Sequence, residues 1–326
     1  MKNDLCQHNF SEQPGFSNRP LSRRAAVKVM GRSAACGVPL LDGMFTGREV
    51  RAQENSRSHS FRQRIGFDAG QNAIEQELAF AAENGFHYLD FNADRGPNDL
   101  RRWDAQRVSR FRETCETHDL HVGLHTRSAV NTAEFAPFVA AAVDEYLWAN
   151  VDLAVRLGCE WIVVHAGFHF SSAKEARQVQ AMDRLKRLVG YAEQKQAKLL
   201  LENLNREPNR AEVHYFGYDV EECRYFFDAI SSPALGWAFT INHAHLVPEG
   251  IDGFLDAFGV DRIGEVRLAD NRGDYEIHLL PGEGNIDFES MFRRIESAGY
   301  QGHYSMAFGT KADKLKARDK FAALLR

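Results

Sequence analysis

The chain has 326 residues, 44% of them hydrophobic and 26% charged, which suffices for a sizeable core and excludes a disordered or fibrous polypeptide. No run of 18 or more apolar residues occurs, so no helical membrane span is expected. The formal net charge of −5 disfavours a polyphosphate partner unless a basic patch overrides it, so nucleic acid is not an expected partner.

The first segment with a pattern is "RPLSRRAAVKVMGRSAACGVPLL", where Arg23 and Arg24 precede a small-residue, weakly apolar run. "VRAQE" then offers a small-x-small cleavage site after Ala52. The order resembles a twin-arginine export signal, with S-R-R-x-x-x-K at its centre. Residues 1–52 are therefore expected to be a cleaved signal and the protein periplasmic or secreted. Arg32 inside the apolar run argues instead for a basic tail, and Cys36 in "SAACG" for a lipoprotein anchor, although the run before it is short. Cleavage would leave 32 basic and 41 acidic residues, a net charge of −9. Cys115, Cys159 and Cys223 would remain, an odd and scattered set with no disulfide framework.

From residue 53 onward, short apolar or β-branched runs alternate with segments of helical period. "RIGFD" (64–68) is followed by "NAIEQELAFAAENG", closed by Gly85. "FHYLDF" (86–91) precedes a charged helix predicted over 98–118. "LHVGLHT" (120–126) precedes a helix over 134–157 that Gly158 ends. "WIVVHAG" (161–167) leads to a helix over 172–196, and "KLLLENLN" (198–205) leads through a loop to "DVEECRYFFDAIS". "LGWAFTINH" (235–243), "IGEVRLAD" (263–270) and "GHYSMAF" (302–308) complete the set, each followed by a helical pattern. Eight strands alternating with helices imply a parallel sheet, and about 274 residues suit a closed (β/α)8 barrel in one domain, 53–326.

In such barrels chemistry gathers where the strands end. Strand three ends in His125 and strand four in His165, with Phe168 and His169 just beyond. Strand five ends in Glu202, followed by Asn203 and Asn205. Strand six brings His243 and His245, strand seven brings Asp270, and the next loop adds Glu276 and His278. His125, His165 and Glu202 leave adjacent strands and make a three-ligand set for one divalent ion, zinc or manganese, with a position open. His243, Glu276 and His278 form a second such set. Phe168, His169, Asn203, Asn205 and Asp270 are candidate substrate contacts. Trp103 and Trp148 could stack on a sugar ring, whereas Trp161 and Trp237 lie in strands and belong to the core. No glycine-rich phosphate loop follows strand one, so no nucleotide cofactor is implied.

Taken in order, "VVHAG", "LLLENLN", "INHAH" and "ADNRGDYEIHLLPGEGNIDF" resemble the xylose isomerase-like TIM barrels over roughly residues 62 to 308. That superfamily contains sugar isomerases and epimerases, inosose dehydratases and apurinic endonucleases. Its sugar epimerases hold one divalent ion with Glu, Asp, His and Glu from strands five to eight. By resemblance Glu202 matches the first of these, while Thr240, Arg267 and Ala307 stand at the other three. Against the three-zinc endonucleases, His125, His165 and Glu202 fall on one metal and His243, Glu276 and His278 on another. The resemblance therefore implies a degenerate metal site.

Arg267 is expected to replace the lost cation, pairing with Glu202 or gripping a substrate carboxylate, ketone or hydroxyl. The leading expectation is a sugar or polyol isomerase, epimerase or lyase that removes a proton beside a carbonyl. Glu202, Arg267, His243 and His278 would be its catalytic groups. A metal-dependent phosphodiesterase or hydrolase and a non-catalytic sugar-binding barrel are the alternatives.

Overall fold

The computed structural model describes residues 59–325; the expected export signal over residues 1–52 lies outside the described residues. Eight parallel strands close a barrel: β1 (Ile65–Asp68), β2 (Tyr88–Phe91), β3 (His121–His125), β4 (Trp161–Val164), β6 (Leu199–Glu202), β8 (Leu235–Thr240), β9 (Ile263–Leu268) and β10 (His303–Met306). β10 pairs back onto β1, with Ile65 opposite Tyr304. Two further short strands, β5 (Phe168–Phe170) and β7 (Val213–Tyr215), form an antiparallel ribbon outside the barrel sheet.

Around the barrel run α1 (Ile74–Asn84), α2 (Ala105–Thr117), α3 (Pro137–Leu157), α4 (Lys174–Lys195), α5 (Val220–Ala229), α7 (Gly250–Phe258), α8 (Phe288–Ser297) and α9 (Lys311–Leu324). A single helical turn, α6 (Ile241–Ala244), follows β8 directly. The ends are written locally. Asp104, Asp219 and Asp287 each accept a backbone N–H at a helix start, and Thr310 with Asp313 forms a capping box. Gly85 and Gly158 end α1 and α3 in the left-handed conformation, as their positions after the helical pattern predict.

Successive strand residues point to opposite faces, which sorts the core into two parts. Phe67, Leu89, Phe91, Ile162, Leu201, Trp237, Phe239 and Val266 belong to the large cluster shared with the helices. Each fully buried aromatic there contributes about 1.5–3 kcal/mol. The alternate positions Tyr88, Trp161, Val163, Leu200 and Ala238 form a separate cluster within the barrel. His303 stacks on Tyr88 at 4.8 Å between ring centroids and sits 4.1 Å from the Trp161 ring. A Cβ on Gly123 would come 2.1 Å from the Trp161 indole nitrogen, so the absent side chain makes the room that the indole fills.

Four local expectations change. α2 begins at Ala105 rather than 98, because two short 3-10 turns (Gly96–Asn98 and Leu100–Arg102) and the Asp104 cap precede it. β8 stops at Thr240, so His243 sits on α6 and not on the strand itself. The segments following β4 and β6 are not plain loops, since they pair as β5 and β7. Trp103 and Trp148 do not line the mouth: Trp103 is buried beneath the Arg107 guanidinium at 3.9 Å, and Trp148 packs on Tyr191 between α3 and α4. Trp161 and Trp237 are core, as read from the sequence.

Candidate active site at the barrel mouth

Glu202 is the last residue of β6, and its two carboxylate oxygens face different company. Oε2 lies 2.9 Å from His165 Nε2 and 3.4 Å from His125 Nε2, and those two nitrogens are 3.2 Å apart. Oε1 accepts the Thr240 hydroxyl at 2.5 Å and lies 3.8 Å from Arg267 Nε and from His243 Nδ1. Tetrahedral ligands about 2.0–2.1 Å from a zinc-sized ion stand about 3.3 Å apart. The His125, His165 and Glu202 atoms therefore match one face of such a site.

Arg267 works one layer below. It is buried, and its Nη1 donates to Asp90 and, at 2.5 Å, to Glu265; its Nη2 donates to Asp68 at 2.7 Å. A guanidinium has five N–H donors, so after these bonds and the Nε approach to Glu202 one Nη2 hydrogen is left. The geometry turns Arg267 mainly inward: four of its five N–H groups face the barrel's own carboxylates, which leaves at most one for a substrate. Asp90 also accepts the Ser305 hydroxyl at 3.2 Å, and Glu265 takes His303 Nε2 at 3.0 Å.

This electrostatic arrangement sets the charge states. Burial works against ionising Glu202, yet hydrogen bonds from His125 and His165 prevail and hold its carboxyl well below the usual range. Burial and the Arg267 charge oppose protonation of His125, but Asp90 and Glu202 outweigh them and push it up to about 10. Burial lowers His165, which stays the neutral partner. Glu265, buried as deeply, is kept ionised chiefly by the Arg267 charge.

The second histidine set also assembles. Glu276 Oε1 lies 2.8 Å from His278 Nε2, 3.3 Å from His243 Nε2 and 2.9 Å from the Asn242 amide. The other ring nitrogens face carbonyls: His243 Nδ1 that of Asn203 at 2.8 Å, His278 Nδ1 that of Ala307. Against the cost of burial, the His243 charge brings the Glu276 carboxyl down to about 2, and Glu276 raises His243 in turn. Glu276 Oε2 is buried without a partner.

Several expected substrate contacts are occupied elsewhere. Asp270 is fully buried and accepts the backbone N–H groups of Gly282 (2.8 Å), Gly284 (3.0 Å) and Ile286 (3.2 Å), which folds the "PGEG" loop around it. A Cβ on Gly284 would meet Asp270 Oδ1 and the Asn271 carbonyl at 2.2 Å, so that loop position requires glycine. Asn203 spends its side chain on Trp237 Nε1 and both backbone groups of Thr240. Asn205 donates to Glu207. His169 lies on β5, stacked on His214, beside a recess of about 340 Å³ lined also by Lys174, Arg206 and Tyr218. Phe168, half-buried on the same strand, packs its ring edge-on against Tyr215.

The sequence reading missed Asp68, Asp90 and Glu265. Their signal was present: Asp90 and Glu265 lie inside strands and Asp68 ends one, each at the phase opposite its large apolar neighbours, which turns it into the barrel.

A closed parallel barrel whose strand ends converge on carboxylates and imidazoles defines a (β/α)8 protein with a polar, ion-compatible mouth. The chain belongs to the xylose isomerase-like TIM barrel family, whose profile matches residues 78–325. Among curated proteins it is 24% identical over 231 residues to an L-ribulose 3-epimerase of Methylomonas sp. (strain DH-1), covering 69% of this chain and 74% of that one. It is 26% identical over 189 residues to a fructoselysine 3-epimerase of Shigella flexneri, covering 54% and 65%. Among solved structures, a D-tagatose 3-epimerase-like protein superposes with a TM-score of 0.69 at 22% identity, covering 80% of this chain and 97% of the other. A solved L-ribulose 3-epimerase gives 0.66 at 18%, covering 80% and 94%. At these identities the solved structures establish the fold alone.

Proposed function

We propose that the protein is a sugar or polyol isomerase or epimerase-like enzyme that moves a proton beside a carbonyl. Its divalent ion would be held by His125, His165 and Glu202. The observation that carries the reading is the division of Glu202, with one oxygen in a three-atom face of ligand spacing and the other on Thr240 and Arg267. When bound, the ion would stabilise the oxyanion that forms as the proton leaves.

The chain's own groups supply the rest. Arg267 is a positioning residue: it neutralises Asp68, Asp90 and Glu265 and faces Glu202 Oε1. Thr240 orients that oxygen, the candidate base. His278 is half exposed and anchored on the Ala307 carbonyl, beside the place where the sugar epimerases carry their last glutamate. Its Nδ1 faces that carbonyl and its Nε2 faces Glu276, and this placement makes the imidazole the group to return a proton to the substrate. Glu202 and His278 thus serve as the two proton-transfer groups, and the relatives' names favour a keto-sugar as substrate class. The N-terminal arginine pair extends the proposal to an exported enzyme acting in the periplasm or outside the cell.

The test is a panel of keto-sugars, polyols and phosphodiesters in deuterated water, followed by NMR. Deuterium entering the carbon beside a carbonyl is expected with the parent. Loss is expected in Glu202→Gln, and slowing by about 10²–10⁴ in His278→Ala. A second reading, metal-dependent phosphodiester hydrolysis, is favoured by the 3.8 Å approach of the two ligand sets at His243 and Glu202. Consumption of a phosphodiester without carbon-bound exchange would select it. No turnover across the panel would leave a sugar-binding barrel.

A further inference from the structure

The opposite end of the barrel holds a histidine cluster that the mouth does not use. His121 is the first residue of β3 and His125 the last, so the two sets stand about 13 Å apart along the strand. At the base, His59 Nε2 lies 3.0 Å from Asp119 Oδ2, and His121 Nε2 lies 3.7 Å from Asp119 Oδ1. One ligand atom from each of these three residues falls within 4.8 Å of the others. His87 packs on His59 at 4.5 Å between ring centroids and reaches Asp119 Oδ2 at 3.4 Å.

We propose that His59, Asp119 and His121 form a structural binding site for a zinc-class divalent ion, pinning the segment before β1 to the base of the barrel. Tetrahedral ligands at about 2.0–2.1 Å stand about 3.3 Å apart, between the two spacings observed. Metal-bound histidines have their second ring nitrogen held by a carboxylate, a carbonyl or another polar group, which fixes the tautomer. Both imidazoles meet that condition: His121 Nδ1 is 2.6 Å from Glu160 Oε1, and His59 Nδ1 is 3.1 Å from the Tyr88 hydroxyl. With Nδ1–H given to Glu160, His121 presents its Nε2 lone pair, a buried atom with no hydrogen-bond partner among the described residues. An unpaired buried acceptor is costly, and an ion would satisfy it. The Asp119 side chain is about half exposed (53%), which leaves an entry path and a fourth position for water or His87. The base of such barrels serves stability rather than chemistry, in keeping with a structural ion.

The experiment titrates Co²⁺, then competing Zn²⁺, into the metal-stripped full chain carrying His165→Ala and His278→Ala, which disable both mouth sets. One equivalent of Co²⁺ with tetrahedral ligand-field absorption is expected, together with a rise in the unfolding midpoint on adding Zn²⁺. Both should vanish when His121→Ala is added. Asp119→Asn, at a half-exposed position, keeps the shape and should weaken binding by more than about tenfold while leaving metal-free stability unchanged. The proposal is overturned if the protein with both mouth sets disabled binds no Co²⁺, or binds it equally well with Asp119→Asn present. Neither outcome depends on whether the mouth takes an ion.

Discussion

Replacing Arg267 by methionine removes the guanidinium that touches Asp68, Asp90 and Glu265 and leaves two buried carboxylates and the partly buried Asp68 without it. Taking away one partner of a buried ion pair costs about 3–5 kcal/mol. Here one guanidinium serves three carboxylates, with His125 and His303 left beside them, so the loss should be about 5 kcal/mol. At about 2–4 °C per kcal/mol, the unfolding midpoint should fall by about 10–20 °C. Without the Arg267 charge, burial would push the Glu265 carboxyl up, so that it takes up a proton more readily in the folded variant than in the unfolded chain. In the variant, stability should then be best preserved below about pH 4 and be lost progressively as pH rises through the raised value. Denaturant titrations at pH 4 and pH 7 measure both effects, with an unchanged m-value confirming the same exposed surface. Adding Asp90→Asn should restore part of the loss, with the coupling read from a double-mutant cycle. A loss below about 1 kcal/mol at pH 7, or no rescue by Asp90→Asn, would refute the view of Arg267 as the cluster's counter-charge.

Three further outcomes follow from the same geometry. Because Glu265 is depressed chiefly by the Arg267 charge, its contribution is present above the unfolded value of about 4.3 and lost as pH falls through the folded one. Glu265→Gln should therefore flatten acid unfolding curves and cost about 3 kcal/mol at pH 7. Thr240→Val leaves Glu202 Oε1 without its closest donor, should cost about 1–3 kcal/mol, and should weaken mouth-site Zn²⁺ binding in calorimetry. Gly284→Ala forces a Cβ onto Asp270 and Asn271; a fall of about 1–3 kcal/mol and freer amide exchange over residues 280–286 are expected, and unchanged exchange would contradict the assigned loop role.

The barrel was legible because its signals are local and periodic. Apolar runs of four to six residues alternate with helical patterns, and glycines such as Gly85 and Gly158 close the helices. His125, His165 and Glu202 could be brought together on paper because they end consecutive strands. Which strand residues face inward was equally written, as a period of two, but Asp90 and Glu265 were hidden by residing in the strands rather than at their ends, and Asp68, which does end β1, was passed over. Arg267 could not be assigned correctly without them, since its partners come from β1, β2 and its own strand β9. Asp270 and Asn203 resemble binding groups by residue type alone. Only tertiary contacts reveal that backbone amides and an indole consume them.

The charge balance bears on the ion proposed for the mouth. Asp68, Asp90, Glu202 and Glu265 place four carboxylates around one guanidinium, which leaves three negative charges to be met by imidazolium or by a cation. In place of a ligand on β9, Arg267 supplies permanent positive charge that needs no open coordination and no loss of protons. That charge lies on the Oε1 side of Glu202, so the Oε2 side stays free to work with His125 and His165. An ion there and a proton on His125 compete for the same face. Uptake of a divalent ion near neutral pH must therefore expel that proton. The buried arginine makes this exchange tolerable, because the cluster beneath keeps its own neutralising charge whichever cation occupies the mouth.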